Sequence, residues 1–114
     1  MSFTCQDVLT RARAILSDEI SDYRWDDPRC IRYVGDGLRD LYQRKPYCGY
    51  TDAEIVTTAP TPPTALSGSI AVHDKYIAAL AHYVAFACLN EDSEDGNNMK
   101  KAAVQFDLYL KGIE

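Results

Sequence analysis

Apolar and polar positions alternate most clearly between Trp25 and Pro46, where Ile31, Val34, Leu38, Leu41 and Tyr42 recur at the spacing of one helical face. Both ends of this segment are marked. Asp27 offers an N-cap oxygen and Pro28 takes the first helical position, where its missing N–H costs nothing. Lys45-Pro46 closes the helix, because the residue before proline is pushed out of the α region. The opposite face carries Arg29, Arg32, Asp36 and Arg39. Gly35 and Gly37 fall inside the helix at about 1 kcal/mol each relative to alanine, which points to a bend or to another backbone passing close by.

The same reading gives three more helices. Thr4-Cys5-Gln6-Asp7 has the form of a capping box ahead of Val8, Leu9, Ala12, Ile15 and Leu16, so a first helix is expected over 5–16, followed by a polar linker over 17–23. His73-Asp74 caps a third over about 75–89, with Tyr76, Ile77, Leu80, Val84, Ala87 and Cys88 on one side. Ala78, Ala85 and Phe86 make this helix apolar nearly all round, more apolar surface than a small bundle easily covers. A fourth helix over about 98–111 should bury Met99, Ala102, Ala103, Phe106, Tyr109 and Leu110. Val104 and Leu108 form a second small apolar stripe on its far side, with Lys101 and Lys111 nearby.

Residues 46–72 have no helical period. Ala53 to Thr58 is rich in β-branched residues, Thr61-Pro62-Pro63-Thr64 is stiff and extended, Ser67-Gly68-Ser69 reads as a turn, and Ile70-Ala71-Val72 suits a short strand. A β-hairpin or irregular arm is expected here, since so long a structureless connection is unusual in a compact domain. The predicted fold class is therefore all-α: one domain over 1–114, a small four-helix bundle with an arm over about 46–72 between helices two and three.

Composition narrows the function classes. Twelve basic against seventeen acidic residues leave a net charge of −5, which argues against gripping nucleic acid through its phosphates. Every arginine precedes Pro46. The first five residues have no basic and apolar signal pattern. The longest apolar run, Ile77 to Leu89, falls short of the roughly 20 residues a bilayer span needs, so no membrane partner is expected. Cys5, Cys30, Cys48 and Cys88 are scattered without a C-x-x-C pair and read as reduced, small apolar residues.

Little in the chain suggests catalysis or a cofactor. Aligning Gly96 with the sixth position of a calcium-binding EF-hand loop puts Ala102 where a bidentate glutamate is required. His73 and His82 are not at zinc-ligand spacing with any cysteine. No Ser-His-Asp arrangement, G-x-S-x-G elbow or Walker loop is present. The carboxylate neighbours Asp26/Asp27 and Asp18/Glu19 merely flank helix starts and linkers. The expectation is a protein that is not an enzyme and holds no cofactor or metal. Its candidate functional residues lie on surfaces: Arg29, Arg32 and Arg39 on helix two, which i, i+4 pairs such as Arg32–Asp36 could instead neutralise, and Val104 and Leu108 on helix four. A neighbour's acidic run, Glu91 to Asp95, is a natural partner for the arginines.

Two segments carry a resemblance. The first is Tyr23-Arg24-Trp25-Asp26-Asp27-Pro28 with the helix through Leu38-Arg39-Asp40-Leu41-Tyr42 to Lys45-Pro46. The second is Val72-His73-Asp74-Lys75-Tyr76, Ala79-Leu80-Ala81-His82-Tyr83-Val84, the 92–97 turn, and the closing helix through Ala102-Ala103 and Phe106. Together they resemble the adaptor proteins of the tailed-bacteriophage head-to-tail connector (neck). The family pattern departs at Gly35-Asp36-Gly37, where an asparagine-containing stretch is usual, and over 50–69, which matches little. The resemblance implies a helical virion protein at the head–tail junction, made in the bacterial cytoplasm. It would form a homo-oligomeric ring beneath the portal protein, meet a tail, nozzle or stopper protein, and let DNA pass without sequence-specific binding. Acidic surface would suit such a channel wall. The alternative reading is a small phage-encoded regulatory protein that binds a host protein through the same surfaces.

Overall fold

In the computed structural model, which describes residues 3–16, 25–46, 48–51, 54–56, 61–72, 74–91 and 96–113, the chain opens on the expected capping box. Thr4 N donates to Asp7 Oδ2 at 2.9 Å, and Asp7 N returns the bond to Thr4 Oγ1 at 3.3 Å. This starts α1, Cys5–Leu16, immediately after a two-residue strand β1, Phe3–Thr4. Two further first-turn N–H groups, those of Cys5 and Gln6, donate at 2.9 Å to the carbonyls of Gly68 and Leu66, so the turn after the prolines completes the cap from a distance. The polar linker over 17–23 lies outside the described residues.

Helix α2 spans Asp27–Arg44 and ends at Lys45-Pro46 as expected. Its start differs by one residue. Asp26, not Asp27, is the N-cap: its backbone is extended and its Oδ1 accepts from Arg29 N at 3.1 Å. Asp27 is drawn into the first turn because its carboxylate is held by Arg13 of α1 at 2.6 Å. The two glycines are explained by side chains and not by a passing backbone. A Cβ on Gly37 would stand 2.9 Å from Tyr83 Cδ1, and one on Gly35 would stand 3.2 Å from Pro62 Cβ.

Between α2 and α3 the expected hairpin forms from β2, Gly49–Thr51, and β3, Glu54–Val56, antiparallel with Gly49 opposite Val56. The chain then returns to the body of the molecule. β4, Ser69–Ile70, pairs antiparallel with β1, Phe3 facing Ile70. Cys48 at the root of the hairpin and Ile70 and Val72 on its return are buried, so both ends of the 46–72 segment belong to the core.

His73, expected to help cap the third helix, lies outside the described residues. A 3-10 turn, Asp74–Tyr76, leads into α3, Ile77–Glu91. Its apolar circumference is absorbed within the chain: α3 runs through the middle and packs against α1, α2 and α4, burying Ala79, Leu80, Ala81, Val84, Ala85, Cys88 and Leu89. The surplus apolar surface expected on this helix is therefore not there. Three short helices suffice to surround one.

Helix α4, Gly96–Gly112, lies along α3. Its buried line runs through Ala102 and Tyr109 and continues to Ile113 just past its end, with Phe106 and Leu110 half-buried at its edges. That line leaves Met99 and Ala103, both expected inside, on an exposed flank, Met99 at 58%. Two aromatic contacts join α3 to α4: Tyr83 meets Tyr109 edge-on with centroids 5.1 Å apart, and Phe86 meets Phe106 in a tilted arrangement at 4.8 Å. The fold is thus a small, mostly α structure of four helices with a hairpin between the second and third.

Candidate functional site

Two surfaces hold the residues singled out from the sequence. The first is the outer face of α4. Val104 and Leu108 are one turn apart and 56% and 38% exposed. The large apolar residues left exposed among the described residues are Ile15, Met99, Val104 and Leu108, three of them on α4. The fourth, Ile15, shares a groove with Val104: an open cleft of about 390 Å³ between the end of α1 and the middle of α4, lined also by Leu16, Leu89, Lys101 and Gln105. Ile15 was expected in the core face of α1 and stands at its margin instead, 36% exposed. Gln105 is fixed from behind, its Oε1 lying 2.7 Å from His82 Nδ1.

The second surface is the arginine face of α2, which the structure divides. Arg29 turns toward the end of α3 and pairs with Glu91 of its own chain at 2.9 Å. Tyr33, one turn on, donates its hydroxyl hydrogen to the same carboxylate. Burial, then this bond, pushes the Tyr33 phenol above its ordinary value. Glu91 is therefore engaged within the chain, not offered to a neighbour's Arg29. The rest of the run, 92–95, lies outside the described residues; of the loop weighed for calcium, the part from Gly96 onward is helix α4.

Arg32 and Arg39 face the other way. The i, i+4 pair Arg32–Asp36 does not form. Asp36 instead meets Arg39 at 3.5 Å, with the Arg39 side chain 73% exposed, and Arg32 has no partner among the described residues. With Asp36 they line a groove of about 470 Å³ whose other side is Pro62, Pro63 and Thr64.

The cysteines are free and buried. Cys30 Sγ donates to the Trp25 carbonyl at 3.7 Å. Burial pushes the Cys5 thiol up to about 11 and raises Cys48; Cys88 is raised by its hydrogen bond with Cys30 and by burial. Neutral, enclosed thiols of this kind act as packing groups, not as nucleophiles. Among the described residues no cluster of His, Cys, Asp and Glu has the arrangement of a metal site, and no helix is long and apolar enough to cross a membrane.

One important residue escaped the sequence reading. Arg13 is 6% exposed. Its Nη1 donates to the Trp25 carbonyl at 3.0 Å and its Nη2 to Asp27 Oδ1 at 2.6 Å, tying the end of α1 to the start of α2. The signal was present: position 13 lies four residues after Leu9 and three before Leu16, on the apolar face of α1.

No known family, curated protein or solved structure matches the chain.

Proposed function

We infer that this chain is a structural adaptor of a tailed-phage head–tail connector, a non-enzymatic virion protein made in the bacterial cytoplasm. It assembles as a ring beneath the portal to continue the DNA channel and dock a tail, nozzle or stopper protein. The observation that carries the reading is the placement of exposed apolar groups. Scattered exposed apolar residues are ordinary. Here Val104 and Leu108 form a stripe on α4, and the neighbouring groove extends it to Ile15 of α1. A stripe on one helix that meets a different surface of a copy gives the head-to-tail contact from which rings close. Its modest extent suits a subunit that associates when a template already holds its neighbours.

The resemblance over 23–46 and 72–106 supplies the setting. The net charge of −5 suits a wall past which DNA slides without sticking. The test is imaging of the chain co-expressed with a portal protein from the same genome. A ring of density beneath the portal supports the reading. Portal rings bare of the chain, with the chain recovered on a host protein, would replace it with the regulatory alternative.

A further inference from the structure

We propose that the groove between α2 and the Pro62–Thr64 segment is a docking slot for a short, extended, acidic segment of a partner protein, with two carboxylates three residues apart received by Arg32 and Arg39.

Two guanidinium groups and one carboxylate line the groove. The single acid, Asp36, reaches Arg39 only at 3.5 Å and at an exposed site, where such a pair contributes little. Arg32 is exposed and has no partner among the described residues. The planar fork of arginine is matched by a carboxylate in two parallel hydrogen bonds.

Spacing comes next. Arg32 and Arg39 are seven residues apart on one helix, roughly 10 Å along its axis. A polyproline-type extended chain returns its side chains to the same side every third residue, a span of roughly 9 Å. A segment of the form acid-x-x-acid therefore presents both carboxylates in register with both arginines. The walls suit such a chain. Pro62 and Pro63 are stiff, Gly35 lets Pro62 lie close against the helix, and Pro28 and Ile31 offer apolar contact to the residues between the acids. A groove whose sides are already rigid loses little freedom when it is filled.

The same facts decide against a nucleic acid. A chain of net charge −5 opposes any polyanion, and the penalty grows with each phosphate, whereas two carboxylates on a short segment meet only the local pair of arginines. The slot stands independently of the connector reading and would take this segment from whichever protein carries it.

The experiment is fluorescence anisotropy at low salt with a labelled peptide, Gly-Pro-Asp-Pro-Leu-Asp-Pro-Gly, and the full chain. Saturable binding is expected. It should weaken at least roughly tenfold when both aspartates become asparagine, or in the double variant Arg32→Gln/Arg39→Gln, and stay unchanged in Arg11→Gln, an exposed arginine on α1. Thermal melting confirms that the variants are folded. The milder Arg32→Lys/Arg39→Lys pair, which keeps charge but loses the fork, should bind several-fold more weakly than the wild type. Absence of saturable binding, or equal binding by the asparagine peptide or the glutamine variant, would overturn the proposal. So would stronger competition by a single-stranded oligonucleotide than by the unlabelled peptide. A self-association of the wild type that the glutamine variant abolishes would also overturn it, by assigning the arginines to a second copy.

Discussion

Tyr109 on α4 donates its hydroxyl hydrogen to Asp40 on α2 at 2.6 Å, and the same carboxylate oxygen accepts from Arg44 Nε at 2.7 Å. Tyr109 is fully enclosed while Asp40 is only partly so, so the two ends of this bond respond differently to mutation. Tyr109→Phe leaves Asp40 held by Arg44 and should cost about 1 kcal/mol. Asp40→Ala strands a phenolic hydroxyl in the core and should cost more, about 1–3 kcal/mol. Urea unfolding of the two variants checks the order; equal losses would show that Tyr109 reaches another acceptor.

Stability should fall on the alkaline side. Buried Cys5 is raised from an ordinary 9.0 to about 11, and Cys48 and Cys88 are also raised. Tyr33, Tyr83 and Tyr109 are raised from an ordinary 10.0, burial being the largest cause in each, with Glu91 hydrogen-bonded to the first and Asp40 beside the other two. In every case the unfolded chain ionises first. The stabilisation is complete below about pH 9, declines first through the thiols, and declines further above about pH 10 as phenols join. Urea midpoints under reducing conditions, measured from neutral pH to about pH 11, should drop monotonically over that upper range. A flat profile would contradict the burial of these groups.

The two glycines of α2 should behave oppositely. At Gly37 a methyl group meets the Tyr83 ring at 2.9 and 3.2 Å, and that ring is held edge-on between Phe86 and Tyr109. Gly37→Ala should therefore lose about 1–3 kcal/mol to overpacking, outweighing the gain of about 1 kcal/mol in helix propensity. At Gly35 the neighbour is the exposed Pro62 Cβ at 3.2 Å, a contact that a shift of a few tenths of an ångström relieves without unseating the segment. Gly35→Ala should be neutral or stabilising by up to about 1 kcal/mol. Thermal melts of both variants distinguish the cases, and a stabilised Gly37→Ala would mean the ring is free to retreat.

What could be read from the sequence was what local chemistry dictates. The capping box at Thr4–Asp7, the Pro28 start, the Lys45-Pro46 stop and the turn-rich stretch before α3 each depend on neighbours in sequence, and each falls within a residue or two of its expected place. What depended on distant partners was misjudged. Asp27 and Asp26 exchange roles because Arg13 claims the former. The helix-two arginines read as one stripe, yet Arg29 belongs to Glu91, 62 positions later in the chain, while Arg32 and Arg39 belong to a groove built by Pro62 and Pro63. Met99 and Ala103 carry the right residue types for a core, but the facing helix selects Ala102, Tyr109 and Ile113. Periodicity gives a helix its apolar side; which edge of that side is covered depends on where the next helix lies.

The α4 stripe gives the connector reading its most direct test. Val104 and Leu108 are exposed, so Val104→Glu/Leu108→Glu should alter the stability of the isolated chain by no more than about 0.5 kcal/mol, which separates loss of assembly from loss of fold. The decisive measurement is quantitative mass spectrometry of phage particles purified from cells that carry the gene for this chain, in its wild-type or double-mutant form. Several copies of the wild-type chain per particle are expected, and heads lacking both the chain and tails when the double mutant is supplied. Particles that lack the wild-type chain, or tailed particles carrying the double mutant at wild-type abundance, would contradict the connector reading.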